Sequence, residues 1–279
     1  MFQQSDESAG ELAVVGRFAA ARARHPVVRQ DPNPHTMSPY LAELLGTMLL
    51  VVLGDGVVGN VVLNKTKGNN AGWIVITAGW AFAVTIAVYA TGSISGAHLN
   101  PAVTIAMASI GKFAWASVPG YIASQVAGGL LGGVIVWLAY LPHWAATDDQ
   151  AGKLAVFSTG PAIRNSGANV IAEIIGTFVL VLALLTVLSP ANLVPGSDVA
   201  KGFGPMLVGL IVWSIGLSLG GTTGYAINPA RDLGPRIAHA ILPIAGKGGS
   251  DWSYAWVPVV GPVIGGLLGA VTYKALWGA

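Results

Sequence analysis

The stretch Ser95-Gly96-Ala97-His98-Leu99-Asn100-Pro101-Ala102-Val103-Thr104 returns, altered, as Gly224-Tyr225-Ala226-Ile227-Asn228-Pro229-Ala230-Arg231-Asp232. In each copy an Asn-Pro-Ala tripeptide opens an apolar run too short to cross a bilayer. Asparagine is a favoured helix N-cap, and proline at the first helical position has a preset φ and no N–H to satisfy. Both copies therefore predict a helix start, at matching places in two halves of one chain. Two helix N-termini brought together suggest the centre of a pore.

Composition sets the surroundings of these motifs. Of 279 residues, 53% are hydrophobic and only 9% charged, whereas soluble domains carry roughly 25% charged residues. A mean hydropathy of +0.66 agrees, so an integral membrane protein is expected, with the lipid bilayer as its surroundings. The net charge of +2 gives no reason to expect nucleic acid. The chain has no cysteine, which excludes thiolate catalysis and cysteine metal sites. Its five histidines show no metal-ligand spacing. No Gly-x-x-x-x-Gly-Lys-Ser/Thr run and no nucleophile–base constellation occurs, so neither a cofactor nor an enzyme activity is expected.

Spanning segments need about 20 apolar residues, and six are expected near 40–62, 72–93, 117–140, 170–190, 202–220 and 254–277. The shorter runs 100–111 and 228–242 are expected to be re-entrant half-helices, viable at membrane depth only when buried in protein. Ala42-Glu43-Leu44-Leu45-Gly46-Thr47 matches Ala172-Glu173-Ile174-Ile175-Gly176-Thr177, and the interval from Glu43 to Asn100 nearly equals that from Glu173 to Asn228. The repeats cover about 40–140 and 170–277. Each holds three spans and one half-helix, and an odd number of spans inverts the second repeat. Paired interrupted segments of this kind point to a transport site. The Gly-Gly-Leu-Leu-Gly runs with Gly128/Gly132 and Gly265/Gly269 predict close helix approach in the third and sixth spans.

Residues 1–36 differ from the channel domain expected at 37–279. Arg17, Arg22, Arg24 and Arg29 alternate there with acidic residues ahead of a proline-broken stretch. A largely disordered cytoplasmic tail is expected, the alternative being a short amphipathic helix over 9–23. No signal-peptide apolar core is visible, so cleavage is not expected. With the tail inside, Lys112, Lys201 and Lys274 join it, against Lys65, Lys67, Lys153, Arg164 and Lys247 outside. Both termini are expected on the cytoplasmic side of the plasma membrane, chiefly because of the tail.

The twin Asn-Pro-Ala signatures resemble those of the major intrinsic proteins, the aquaporins and glycerol facilitators, from about Tyr40 to the C-terminus. The resemblance implies an all-α, aquaporin-like fold with six transmembrane helices and two re-entrant half-helices, assembled as a homotetramer. Each helix N-terminus presents about half a positive charge, which repels cations and favours neutral solutes. Asn100 and Asn228, with Pro101, Ala102, Pro229 and Ala230, form the expected pore centre, their amides donating into the lumen. The non-helical approaches, Gly96, Ala97, His98 and Leu99 with Gly224, Tyr225 and Ala226, are expected to offer a ladder of carbonyl acceptors.

Intramembrane carboxylates at Glu43 and Glu173 cost about 2.5–3.5 kcal/mol or more if unpaired. The resemblance places them behind the two loops, accepting from loop N–H groups; the alternative is a proton relay. Arg231 stands near a helix N-terminus where the dipole disfavours its charge, and its fork of donors suits hydroxyl and water oxygens. Its alternative is pairing with Asp232, although adjacent helical residues point apart.

By the same resemblance the remaining filter positions fall on Trp80, Gly216 and Tyr225. Gly216 leaves open what a histidine closes in water-selective relatives, and Trp80 with Tyr225 makes an apolar corner for a polyol's carbon face. Asp232, within Asp232-Leu233-Gly234-Pro235-Arg236, and Pro258-Val259 fit the glycerol-type branch. Tyr225 departs from the branch's usual phenylalanine, and its hydroxyl narrows or polarises the filter, toward another small polyol or a neutral acid such as undissociated lactic acid. Asp55, between Gly54 and Gly56, is expected at an outer vestibule or subunit interface, without an assigned role. The reading is a passive channel for glycerol, related small uncharged polyols and water, excluding ions and protons. A water-selective aquaporin and a proton-coupled transporter using Glu43, Glu173 or Asp55 are the alternatives.

Overall fold

The computed structural model describes residues 37–189 and 199–278. The expected tail, 1–36, lies outside the described residues. Among them the regular elements are all helical: α1 (Pro39–Val62), α2 (Trp73–Ser95), α3 (Pro101–Ser109), α4 (Val118–Ala139), α5 (Leu141–Ala146), α6 (Gln150–Ala155), α7 (Ser166–Val187), α8 (Val199–Leu219), α9 (Pro229–Ile241) and α10 (Val257–Trp277). Six of these, α1, α2, α4 (with the 3₁₀ turn Trp115–Ser117), α7, α8 and α10, are long and apolar enough to cross a membrane. The short helices α5 and α6 lie in the connection between the repeats, where no helix was expected.

Local chemistry explains the boundaries. Ser38 caps α1 by accepting from the Leu41 N–H, with Pro39 at the first helical position. α2 ends where Gly96 turns left-handed at φ 80°. α7 starts at Ser166, earlier than 170, because Asn165 accepts from the Ala168 N–H in a polar stretch that hydropathy does not register.

The repeats interlock. α1 packs on α4 and α7 on α10, while each half-helix docks across, α9 against α4 and α3 against α10. The glycine runs make both approaches possible. A Cβ on Gly128 would overlap the Leu44 carbonyl oxygen, and one on Gly265 the equivalent Ile174 oxygen. The next glycine of each run faces a half-helix: a Cβ on Gly129 would stand 2.6 Å from Ala230 O, and one on Gly266 3.0 Å from Ala102 O. These runs therefore seat the Asn-Pro-Ala helices as well as pairing spans, a role the sequence reading did not assign them.

Candidate functional site

Glu43 and Glu173 hold the two loops from behind. Glu43 is fully buried and accepts from His98 N (2.9 Å), Leu99 N (2.6 Å), Ser95 Oγ (2.7 Å) and Gln125 Nε2 (2.8 Å). Glu173 accepts from Ala226 N (2.9 Å), Ile227 N (2.9 Å) and Thr223 Oγ1 (2.6 Å). In a planar trans peptide the carbonyl points opposite to the N–H. Tying down the amides of 98 and 99 thus turns the Ala97 and His98 carbonyls away from Glu43, and tying down 226 and 227 turns those of Tyr225 and Ala226 away from Glu173. The backbone needs repeated left-handed residues for this: Gly96, Ala97 and Leu99 at φ 80°, 47° and 49°, then Gly224, Tyr225 and Ile227 at 81°, 39° and 43°. Non-glycine residues in this region are strained, and here the same strain occurs twice in matching positions.

The loops meet through an exchange of amides. Asn100 Oδ1 caps α3 by accepting from Ala102 N (2.9 Å), and Asn228 Oδ1 caps α9 by accepting from Ala230 N (3.0 Å) and Arg231 N (3.2 Å). Asn100 Nδ2 then donates to Ile227 O (2.8 Å), and Asn228 Nδ2 to Leu99 O (2.7 Å). The side-chain NH₂ has two donors, so one N–H of each asparagine locks the opposite loop and one is left over. Leu99 O, counted in the sequence as a ladder acceptor, already serves Asn228.

A cavity of about 380 Å³ is lined by Trp80, Tyr225 and Arg231, by both asparagines, and by Lys112, Ser189 and Tyr273. Residues 96–99 and 225–227 line its wall; Gly224 does not. Arg231 is 7% exposed, with its guanidinium carbon 4.1 Å from the Trp80 ring centroid. No described residue accepts a hydrogen bond from that guanidinium. Asp232 is not its partner: Asp232 pairs with Arg236 (Nε–Oδ1 2.8 Å) and accepts from Thr159 N and Oγ1. Arg236 also donates to the carbonyls of Thr159, Ser250 and Asp251, so this pair anchors α9 to the neighbouring loops.

Gly216 is absent from the cavity wall because the Tyr225 ring covers it; a Cβ there would stand 2.9 Å from Tyr225 Cζ. Three supporting residues carried no signal in the sequence. Gly54 gives room to the Trp80 ring, which a Cβ there would overlap. Gly220 lies under the same Tyr225 ring, and Trp73 packs edge-on to it (5.8 Å) while donating to Gly216 O (3.0 Å). Asp55 faces neither a vestibule nor an interface: it is 1% exposed within α1, and neither carboxylate oxygen has a partner among the described residues. No group of three or more metal-ligating side chains occurs among them.

This constellation of twin capped half-helices, buried loop-holding carboxylates and a lined cavity agrees with a match of residues 32–273 to the model of the major intrinsic protein family. The chain belongs to the major intrinsic proteins. It is 63% identical over 241 residues to a probable glycerol uptake facilitator protein of Thermotoga maritima, covering 86% of this chain and 100% of that one. It is 56% identical over 239 residues to a glycerol uptake facilitator protein of Bacillus subtilis, covering 86% and 85%. Among solved structures, the aquaglyceroporin of Plasmodium falciparum superposes with a TM-score of 0.75 at 31% identity, over 86% of this chain and 96% of that one. As a major intrinsic protein with six apolar spans, the chain is an integral membrane protein of aquaporin fold and not an enzyme.

Proposed function

We propose that this chain is a passive channel for glycerol and related small uncharged polyols, with water as a co-permeant and ions and protons excluded. The observation that carries the reading is the wall of the cavity: carbonyls of Ala97, His98, Tyr225 and Ala226 turned from their glutamates, on a cavity that also holds both asparagines and the unpaired Arg231 donors. Acceptors and donors that share the lining with Leu50, Val84, Leu180 and Val212 suit a solute with both hydroxyls and a carbon skeleton. The glycerol facilitators among its relatives support the same solute.

The constriction is Trp80, Tyr225 and Arg231, with Gly216 behind Tyr225 and Asp232 serving α9 through Arg236. Two half-helix N-termini at the centre place positive potential where a cation or hydronium would pass. Glu43 and Glu173 act as loop scaffolds: their oxygens are occupied by four and three donors, which leaves little for a proton relay. The channel sits in the plasma membrane as a homotetramer, termini in the cytoplasm.

The test is stopped-flow light scattering on proteoliposomes of the wild type and Gly216→His, which brings an imidazole against the Tyr225 ring. Glycerol is expected to equilibrate quickly through the wild type and slowly through the variant, with water flux retained as the sign of a folded channel. Rapid water flux with no glycerol entry in the wild type would make this a water-selective aquaporin.

A further inference from the structure

The C-terminal end of α9 is a corner of cations with a buried histidine among them. Lys247 donates to His239 O (2.6 Å), Ala240 O (2.8 Å) and Leu242 O (2.7 Å), so one ammonium already takes the carbonyls that close the helix. Lys153 of α6 reaches the same loop at Ala245 O. The His239 side chain is fully buried, with Nδ1 2.8 Å from Ser250 Oγ and the ring edge-on to Phe157 at 5.4 Å. Its other nitrogen, Nε2, has no partner among the described residues. An imidazolium donates from both nitrogens, and here Nε2 has nothing to donate to.

The charges around this ring oppose a third cation. On α9, Asp232 is committed to Arg236 and Thr159, and Arg236 Nη1 holds Ser250 O (2.9 Å). In the loop beyond α9, Asp251 pairs with Arg164 and accepts from Ser253. The packed helices α3 and α4 carry no charged side chain, and Lys274 of α10 lies in its last turn. Asp55 of α1 sits in the fields of Arg231 and Asp232, and His143 of α5 is turned to Asn64 O. Burial first, then Lys247 and Arg236, holds the His239 pKa down from 6.5 to about 4.

We infer that His239 is an acid-sensitive latch on α9: while neutral it lets the Lys247 clamp and the Ser250 contact hold the helix end, and its protonation forces that end apart. The helix it secures carries Arg231 at its start, so release disturbs the constriction and lowers flux. This adds a regulation to the channel reading and rests on that reading for its flux readout. Because the folded pKa lies below the unfolded one, the unfolded chain binds the proton first. Stability is therefore complete above about pH 6.5 and is lost as the pH falls toward 4. A pH gradient kept above about 6.5 leaves the latch untouched.

The experiment measures glycerol flux in proteoliposomes of the full chain, at equal pH on both faces, and Tm in detergent, from about pH 7.5 to about pH 4. Wild-type permeability is expected to fall to about half or less at pH 4, where half of His239 is protonated, and to recover on return to neutral pH. The Tm is expected to fall over the same range. His239→Gln keeps a polar group beside Ser250 but takes no proton, and is expected to hold both readouts nearly level. His239→Leu, of similar volume, serves where the glutamine variant yields no folded protein. A wild type that stays level to pH 4, or a variant that falls as steeply as the wild type, overturns the latch. A wild type that passes water but no glycerol at neutral pH overturns the channel reading instead, and the Tm profiles then decide the latch by themselves.

Discussion

Glu173 shows what a single residue contributes. A buried carboxylate that accepts two loop amides and a threonine hydroxyl sets where the Tyr225 and Ala226 carbonyls point, and hydrogen bonds to a charged acceptor are worth about 1.5–3 kcal/mol each. Glu173→Gln keeps the shape but loses the charge and turns an NH₂ toward one of the three donors. Reduced thermal stability in detergent and a several-fold drop in glycerol flux are expected together. Full flux with the loss of a pH-gradient response would instead reveal a proton relay. Much at this scale was legible because it is repeated: Glu43 with Glu173 and Asn100 with Asn228 stand at matching places, and an N-cap asparagine before proline has one evident local use. Gly220, Gly54 and Trp73 were not legible. Their partners, Tyr225, Trp80 and Gly216, are brought to them by tertiary packing, and a lone glycine in an apolar run carries no pattern. Asp55 misled for the same reason, since its burial depends on helices far away in sequence.

At the scale of elements, the half-helices depend on the third span of the opposite repeat. The glycines of α4 and α10 allow this because no side chain stands between backbones. Gly265→Ala puts a methyl into the Ile174 carbonyl of α7 and is expected to abolish folded protein in detergent, since overpacking against backbone cannot relax. Gly56→Ala, at a helical position of α1 where a Cβ would meet nothing within 4 Å, is expected to leave yield and flux unchanged. Size-exclusion profiles of the two variants check the contrast; equal profiles would contradict the packing argument. The spans were readable from hydropathy and the half-helices from their caps. The short helices α5 and α6 were not, because six residues have too little periodicity to register, and α5 follows directly on the apolar end of α4. Their neighbourhood nonetheless bears on the site: Lys153 of α6 donates to Ala245 O, and Lys247 donates to the carbonyls of His239, Ala240 and Leu242 at the C-terminal end of α9. A cation is favoured there by the helix dipole, and it helps hold the helix that carries Arg231.

For the whole molecule, inversion is the organising fact. Two repeats entering from opposite faces bring two N-termini together, and each asparagine amide secures the loop of the other repeat, so neither half completes the site alone. Transport without coupling is the proposed consequence: the carboxylates accept hydrogen bonds from the loops, and two helix N-termini at the centre favour neutral solutes over a titrating relay. The most direct measurement is glycerol influx into proteoliposomes with a pH-sensitive dye inside, recorded with and without an imposed pH gradient. The account predicts the same glycerol rate in both conditions and an internal pH that decays no faster than in protein-free vesicles. Influx that accelerates with the gradient, or a gradient that collapses as glycerol enters, would contradict it.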